Sequence, residues 1–268
     1  MFIKKIILAS LMIFLCGCTN VKLGSIGSND FLSNDDGSII CQYSPFENLL
    51  ICLNKFEQEI NSFSCHSYGE INTIGYVQKV DTIRQKRNTN EILFQNISTS
   101  ALVKIAEQVY FKNDNCYRRE AIDVENLSWS ENYEKYSTQD FIDKYAWHPT
   151  QFTHFIINKN SVISGEFINT TNNKYTFSYI FDNILATPNY QIKMKEMGNL
   201  SDYPVFSKIK YELTIDENWN PIQVKTIENY QIKKGILTLN ATANIIEDFT
   251  LLNQNVELQD YAFFQNVR

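Results

Sequence analysis

Apolar residues recur with helical spacing in the segment that follows Ser44. The start Ser44-Pro45-Phe46-Glu47 combines a capping hydroxyl, a proline suited to the first helical position and a glutamate that completes a capping box. Asn48 and three later polar residues (Asn54, Glu57, Glu59) are predicted to face away from the apolar stripe. A coiled-coil seam is the alternative, but fewer than three heptads are too short for one. We therefore predict an amphipathic helix that packs on a sheet through one stripe, which comprises Phe46, Leu49, Leu53, Phe56, Ile60 and Phe63.

Two further helices are predicted from shorter patterns. The first spans Ser98 to Phe111, where four apolar residues fall on one side. The second begins at Ser137, whose hydroxyl and the carboxylate of Asp140 form another capping pattern, and Pro149 is expected to stop it. Asp140 and Asp143 share one face of that helix. An acid/base pair is possible there in principle, but an exposed charged face is the preferred interpretation.

From residue 150 onward the spacing changes to the alternation of strands. Short β-rich runs are separated by Asn, Lys, Gly and Asp turns, as at Asp216 to Pro221. Consecutive strands with short turns predict an antiparallel meander with one buried and one wet face. The fold class is therefore α+β, a sheet packed on two or three helices. The predicted strands cover 150–157, 161–169, 174–183, 188–196, 203–215, 222–232, 237–245 and 253–265.

The first residues have the pattern of an export signal. Lys4 and Lys5 give a positive end, and an apolar run of ten residues follows from Ile6 to Leu15. This run is too short to cross a bilayer, which takes ~20 helical residues, so we predict a cleaved signal peptide over residues 1–17.

The end of that run, Leu15-Cys16-Gly17-Cys18, resembles the lipobox of bacterial lipoproteins. The resemblance implies that the mature chain begins at a lipidated Cys18 and that the membrane is a partner through this N-terminal lipid. It also implies the outer membrane, facing the periplasm, because residue 19 is Thr and not the Asp that retains lipoproteins in the inner membrane. The alternative is an ordinary cleaved signal with Cys18 as a spare thiol.

Composition and charge limit the function classes. Residues 18–40 are rich in Ser, Asn, Gly and Asp and are predicted to be a flexible tether, which leaves 41–268 as a single globular domain. The formal charge of −6 includes two signal-peptide lysines, so the mature chain carries −8 (−6 − 2). A chain this acidic has no electrostatic footprint for nucleic acid, which we exclude as a partner.

Four cysteines remain beyond the signal region. In an exported chain this even number predicts two disulfides, with free buried thiols as the alternative. A bond between Cys52 and Cys65 is disfavoured because an unbroken helix would carry them apart. A bond from Cys116 to the helical region is preferred. The disulfide candidates are Cys41, Cys52, Cys65 and Cys116.

No constellation for catalysis, metal or cofactor emerges, so we expect a non-enzyme without a cofactor. Ser207 and Lys210 match the Ser-x-x-Lys pattern of penicillin-binding nucleophiles. That chemistry requires the serine at the start of a helix, whereas Ser207 is predicted to lie in an alternating strand. His66 beside Cys65 is interpreted as a surface residue, and His148 and His154 have no ligand spacing. Two small basic islands are interpreted as solvated or as a contact for lipid phosphates. They are Arg84-Gln85-Lys86-Arg87 and Arg118-Arg119.

The capped helix running into Asn61-Ser62-Phe63-Ser64, followed by a long meander with an Asp-x-x-x-x-Pro hairpin, resembles the LolA/LolB-type fold. That resemblance implies a curved antiparallel sheet that wraps helices around an apolar cavity. A binding protein for an apolar ligand is expected to have a cavity of a few hundred Å³. It carries over no ligand residues. Two hypotheses follow: a binding protein for a lipid or acyl chain in the concavity, or a structural lipoprotein that acts through an envelope protein partner and an exposed apolar patch.

Overall fold

The computed structural model describes residues 38–101 and 104–267. The predictions for the signal peptide, for Cys18 and for most of the tether lie outside these residues. All described residues belong to one compact unit within 31–268.

Twelve strands build one open antiparallel sheet, which confirms the α+β class. The strand order is β6-β5-β4-β3-β2-β1-β12-β11-β10-β9-β8, and β7 pairs with β5. From β1 to β6, each strand is added beside the preceding one toward one edge of the sheet. Strand β8 forms the other edge, and β9 to β12 follow in order back to β1, with which β12 pairs. The strands are β1 (Phe63–Thr73), β2 (Tyr76–Asn88), β3 (Glu91–Thr99), β4 (Lys104–Lys112), β5 (Asn115–Asp123), β6 (Ser128–Trp129), β7 (Glu134–Ser137), β8 (Val162–Thr171), β9 (Lys174–Phe181), β10 (Val205–Asp216), β11 (Pro221–Lys234) and β12 (Leu237–Thr250).

The described helices are α1 (Pro45–Glu59), α2 (Thr138–Tyr145), α3 (Pro188–Gly198) and the short α4 (Tyr261–Gln265). The capping box of α1 is confirmed: the amide of Glu47 donates to Ser44 Oγ at 3.3 Å and the amide of Ser44 donates to Glu47 Oε2 at 2.8 Å. The predicted capping pattern at Ser137 is also present, and α2 ends at Tyr145, before Pro149.

Four predicted elements are wrong. Ser98 to Phe111 is no helix but the end of β3 and most of β4. Both faces of this hairpin are covered, so its residues 106–111 are all buried and lose the alternation that marks a strand. Residues 188–196 form α3, which starts at Pro188. Residues 150–157 are a series of turns after Pro149, and 253–265 are coil followed by α4.

The core consists of three apolar clusters. The concave face of β8 to β12 packs on α1 and on the turns after Pro149, through rings such as Phe56, Phe152 and Phe249. The same face of β3 to β5 packs on α2. The convex face of β3 to β5 is covered by the C-terminal segment with Phe264. Gly165 lets α1 approach β8, because a Cβ there would lie 2.9 Å from the Tyr179 ring and 3.1 Å from Pro45.

Candidate functional site

A row of polar and charged residues crosses the concave face between its two apolar clusters. The antiparallel register sets Arg84 beside Cys65 and Ser67 beside Glu247, and residues two apart on a strand share a face. Glu228 of β11 lies opposite Ala243 of β12 and therefore points to the same side. We call Arg84, Ser67, Glu247 and Glu228 the polar trough.

Arg84 is the fixed positive charge of the trough. Its guanidinium pairs with Glu247 Oε1 at 3.1 Å and donates to the carbonyl oxygen of Gln151 at 2.8 Å. The residue is 3% exposed, and Ser67 Oγ donates to the same carboxylate oxygen at 2.9 Å. These bonds tie the turns after Pro149 to the middle of the sheet.

Glu228 is buried, and no cation of the described residues is bonded to it. It is 2% exposed, and the hydroxyl of Tyr190 donates to its Oε2 at 3.1 Å. Burial raises the pKa of Glu228 to about 8, against the opposing effects of the Tyr190 hydrogen bond and the charge of Lys193. Burial therefore favours the neutral acid over the carboxylate at this position.

Helix α3 covers the trough. Tyr190 and Met194 pack against the cluster of β8 to β12, whereas Met197 packs against the cluster beside α2. Lys193 lies on the same helical face, between them. No residue of α3 is fully buried, although the helix lies over the concave face of the sheet and its residues 189–195 are half-buried. The cover is therefore partly exposed to water along its whole length.

The ammonium of Lys193 lies 3.6 Å from the centre of the Trp147 ring. Burial and then the charge of Arg84 lower the pKa of Lys193 to about 7, against the effect of the nearby carboxylates. Trp147 is 3% exposed, and its indole N–H finds no hydrogen-bond partner among the described residues.

The histidine and aspartate candidates do not form one cleft in the described structure. Asp140 caps α2 and Asp143 accepts a hydrogen bond from Gln139, both at the surface. His148 bonds to Thr150 and lies against Phe111, and burial lowers its pKa to about 4. His154 stacks on Tyr190 at 3.7 Å between ring centres, and burial holds its pKa well below the usual value. The described residues also contain no group of three His, Cys, Asp or Glu placed to hold a metal ion.

The prediction of two disulfides is not supported. Cys52, Cys65 and Cys116 are free thiols and all buried, so none of them is bonded to Cys41 either. Cys116 lies in the cluster beside α2, whereas the other three lie in the cluster beside α1. The structure therefore gives no support to the preferred bond from Cys116 to the helical region. Arg84 Nη2 donates to the Cys65 sulfur at 3.3 Å instead.

The two basic islands are not simply solvated. Arg84 belongs to the trough, and Arg118 pairs with Glu107, Glu120 and Glu134. Arg119 is 6% exposed and pairs with Asp260 at 3.3 Å. Arg84, Arg118 and Arg119 therefore form ion pairs within the protein. Of the first island, Lys86 and Arg87 lie nearer the surface.

A groove of about 550 Å³ lies on the convex face, beside the C-terminal segment. His66 on its wall bonds to Asp81 at 3.2 Å. The groove is open and mixed in polarity, so it is not the apolar cavity expected in the concavity. It is lined by His66, Asp81, Ile83, Gln95, Ile97, Leu127, Trp129, Gln259 and Asp260.

Sequence reasoning missed the trough, although a signal for it exists. Glu228 follows Val224 and Thr226 in the inward register of β11, and Glu247 follows Ala243 and Ile245 in that of β12. A charged residue at an inward position of an alternating strand is a buried polar group that requires a partner.

No helix within the described ranges has the length and apolar character that crossing a bilayer requires. No family model matches the chain, and neither does any curated protein. The solved structures that it resembles include a LolA superfamily protein from Nitrosomonas europaea, at 7% identity and a TM-score of 0.30, over 82% of this chain and 98% of that one. MucB in complex with periplasmic MucA follows at 6% identity and a TM-score of 0.13, over 80% and 98%. The MucA/MucB complex of Pseudomonas aeruginosa matches at 6% identity and a TM-score of 0.13, over 78% of this chain and 95% of that one. Scores this low do not assign the chain to a family.

Proposed function

We propose that this protein is a non-enzymatic binding protein for a ligand with an apolar chain, such as a lipid or acyl chain. The ligand lies on the concave face of the sheet beneath α3. In this proposal the protein is held at the outer membrane, on its periplasmic side, by the lipid on Cys18.

The observation that carries the proposal is that α3 lies over the polar trough and its two flanking apolar clusters without any fully buried side chain. Helix α3 bridges two apolar clusters through Tyr190 and Met197, yet none of its residues is fully buried. A helix held by a continuous apolar stripe would bury several side chains, as α1 does with Leu49 and Phe56. Segments with few buried apolar contacts open at low free-energy cost, which suits a cover that admits a ligand.

The proposed site takes up only part of the concavity that the sequence indicates. The concave surface beside α1 is filled by aromatic rings, among them Phe56, Phe63 and Phe152, with centre-to-centre distances near 5 Å. A ligand would therefore displace α3 and not α1. The apolar clusters on both sides of the trough then supply the walls for the chain.

The alternative, a lipoprotein that acts through a protein partner, has one observation in its favour. One end of the sheet exposes apolar side chains at hairpin ends and in the segment after α3, and Ile236 is 97% exposed. The strand register places these segments at the same end. The exposed residues there are Ile74, Val77, Tyr203, Val205, Ile236 and Leu237.

Native mass spectrometry on a soluble form that starts at residue 19, produced in an oxidising compartment, tests the proposal. We expect a bound lipid mass that organic extraction releases and identifies. An apo mass, together with no uptake of added fatty acid, would contradict the proposal. Crosslinking in cells would then test the exposed end of the sheet for a protein partner.

A further inference from the structure

Two hydrogen-bond donors where α3 meets the segment after α2 have no matching acceptors among the described residues. Within the described part of the chain, the Lys193 ammonium has no carboxylate within 4.0 Å and no hydrogen-bond acceptor, and its close neighbour is the face of the Trp147 ring. The other lysine ion pairs of this region belong to Lys195 and Lys233, on the surface. A partly buried ammonium with three unused donors favours an acceptor from outside the chain.

Trp147 gives a second, independent observation. Its indole N–H can only donate, is buried and has no partner among the described residues. Because the Lys193 ammonium lies 3.6 Å from the centre of the same ring, the two donors lie in one small volume. A buried donor left without an acceptor is unfavourable, so a group with two oxygens, one for the indole N–H and one for the ammonium, would be stabilised by both donors.

The charges around this volume favour an anion. Glu247 is already engaged by Arg84 at 3.1 Å and by Ser67 at 2.9 Å. Glu228 accepts from Tyr190, and its burial favours the neutral acid. Glu107 is engaged by Arg118 at 3.0 Å, so each carboxylate that acts on Lys193 already has another partner, and the Lys193 ammonium has no carboxylate within 4.0 Å among the described residues. An incoming anion would favour the charged form of this lysine.

From this geometry we infer that the ligand beneath α3 has an anionic head, a carboxylate or a phosphate, which accepts hydrogen bonds from the Lys193 ammonium and the Trp147 indole N–H. This inference rests on the proposed function and specifies the ligand class: an anionic amphiphile whose chain lies against the flanking apolar clusters.

Calorimetric titration at pH 7 with three amphiphiles of equal chain length tests the inference. The probes are dodecanoate, dodecanol and dodecyltrimethylammonium, each below its micelle concentration, with the form that starts at residue 19. We expect dodecanoate to bind about ten- to a hundredfold more tightly than dodecanol, as charge-assisted hydrogen bonds imply. Inorganic phosphate alone should bind far more weakly than dodecanoate.

Variants assign the preference to named groups. Lys193→Met should remove the difference between dodecanoate and dodecanol, and Lys193→Arg should keep it. Trp147→Phe, which retains a ring without the N–H, should weaken dodecanoate binding about two- to tenfold. Lys195→Met is the matched control, because Lys195 lies on the same helix with its ammonium 3.7 Å from Glu196. It should bind as the unmodified protein does.

The outcomes separate the inference from the proposed function. Equal binding of dodecanol and dodecanoate, or an unchanged preference in a folded Lys193→Met protein, would overturn the anionic head but keep the apolar site. Stronger binding of dodecyltrimethylammonium than of dodecanoate would show a preference for a cationic head and would overturn the inference. Phosphate as tight as dodecanoate would indicate a site for a free anion and overturn the amphiphile. Binding of none of the amphiphiles would overturn both proposals.

Discussion

Replacing Arg84 with methionine should destabilise the protein strongly, since the change leaves a buried carboxylate without its cation. The pair joins side chains that are 4% and 17% exposed, for Arg84 and Glu247, at 3.1 Å. The change also removes the bond to the carbonyl oxygen of Gln151. Breaking one side of a buried pair costs about 3–5 kcal/mol. At ~2–4 °C per kcal/mol for a domain of this size, the melting temperature should fall by roughly 6–20 °C.

Urea unfolding followed by circular dichroism measures this loss. Arg87→Met is the matched control on the same strand: Arg87 is 41% exposed, pairs with Glu91 at 3.5 Å and lies over the Tyr261 ring. Its loss should cost about 1 kcal/mol. The double variant Arg84→Met with Glu247→Met should be more stable than Arg84→Met alone, because no unpaired charge remains. Equal costs for Arg84→Met and Arg87→Met would refute the buried-pair interpretation.

Three further predictions concern stability and thiol chemistry. Burial raises the pKa of Glu228 to about 8, so between pH ~4.5 and ~8 the folded protein keeps a proton that the unfolded chain has lost. The free energy of unfolding therefore falls as the pH rises through this range. Glu228→Gln should therefore gain roughly 2–5 kcal/mol over the unmodified protein at pH 8 and almost nothing at pH 4 in urea unfolding; a constant difference across pH would contradict this. Asn48→Ala should cost about 2–4 kcal/mol, because this side chain bonds three carbonyl oxygens and the Trp219 indole, whereas exposed Asn54→Ala should stay within ~0.5 kcal/mol. Iodoacetamide should label the buried thiols only after unfolding, and labelling in the native state would disprove their burial; the thiols are Cys52, Cys65 and Cys116.

The starts of α1 and α2 could be predicted because their signals are local. Ser44 with Glu47, and Ser137 with Asp140, specify capping boxes within four residues, and the structure has both. Asn48 shows the limit of that reasoning. Its position on the polar side of the stripe predicts exposure, yet the side chain is buried because it closes the turn before α1 and meets Trp219, 171 residues away.

Elements that depend on tertiary contacts were not predictable in the same way. Strand β4 has apolar residues on both faces because α2 covers one and the C-terminal segment covers the other. The resulting run from Ala106 to Phe111 has no period of two, so helix and strand cannot be told apart by pattern. The contact between Lys193 and Trp147 likewise depends on how α3 crosses the sheet, which no short-range pattern encodes.

Photocrosslinking tests the central claim, a ligand site beneath α3, most directly. The form that starts at residue 19 is illuminated with a fatty acid that carries a photoactivatable diazirine on its chain, then digested and mapped by mass spectrometry. The account predicts label on α3 (Pro188–Gly198) and on the segment after α2 that contains Trp147. Excess dodecanoate should reduce that label. Label confined to the convex groove, at Leu127, Trp129 or Asp260, would contradict the account.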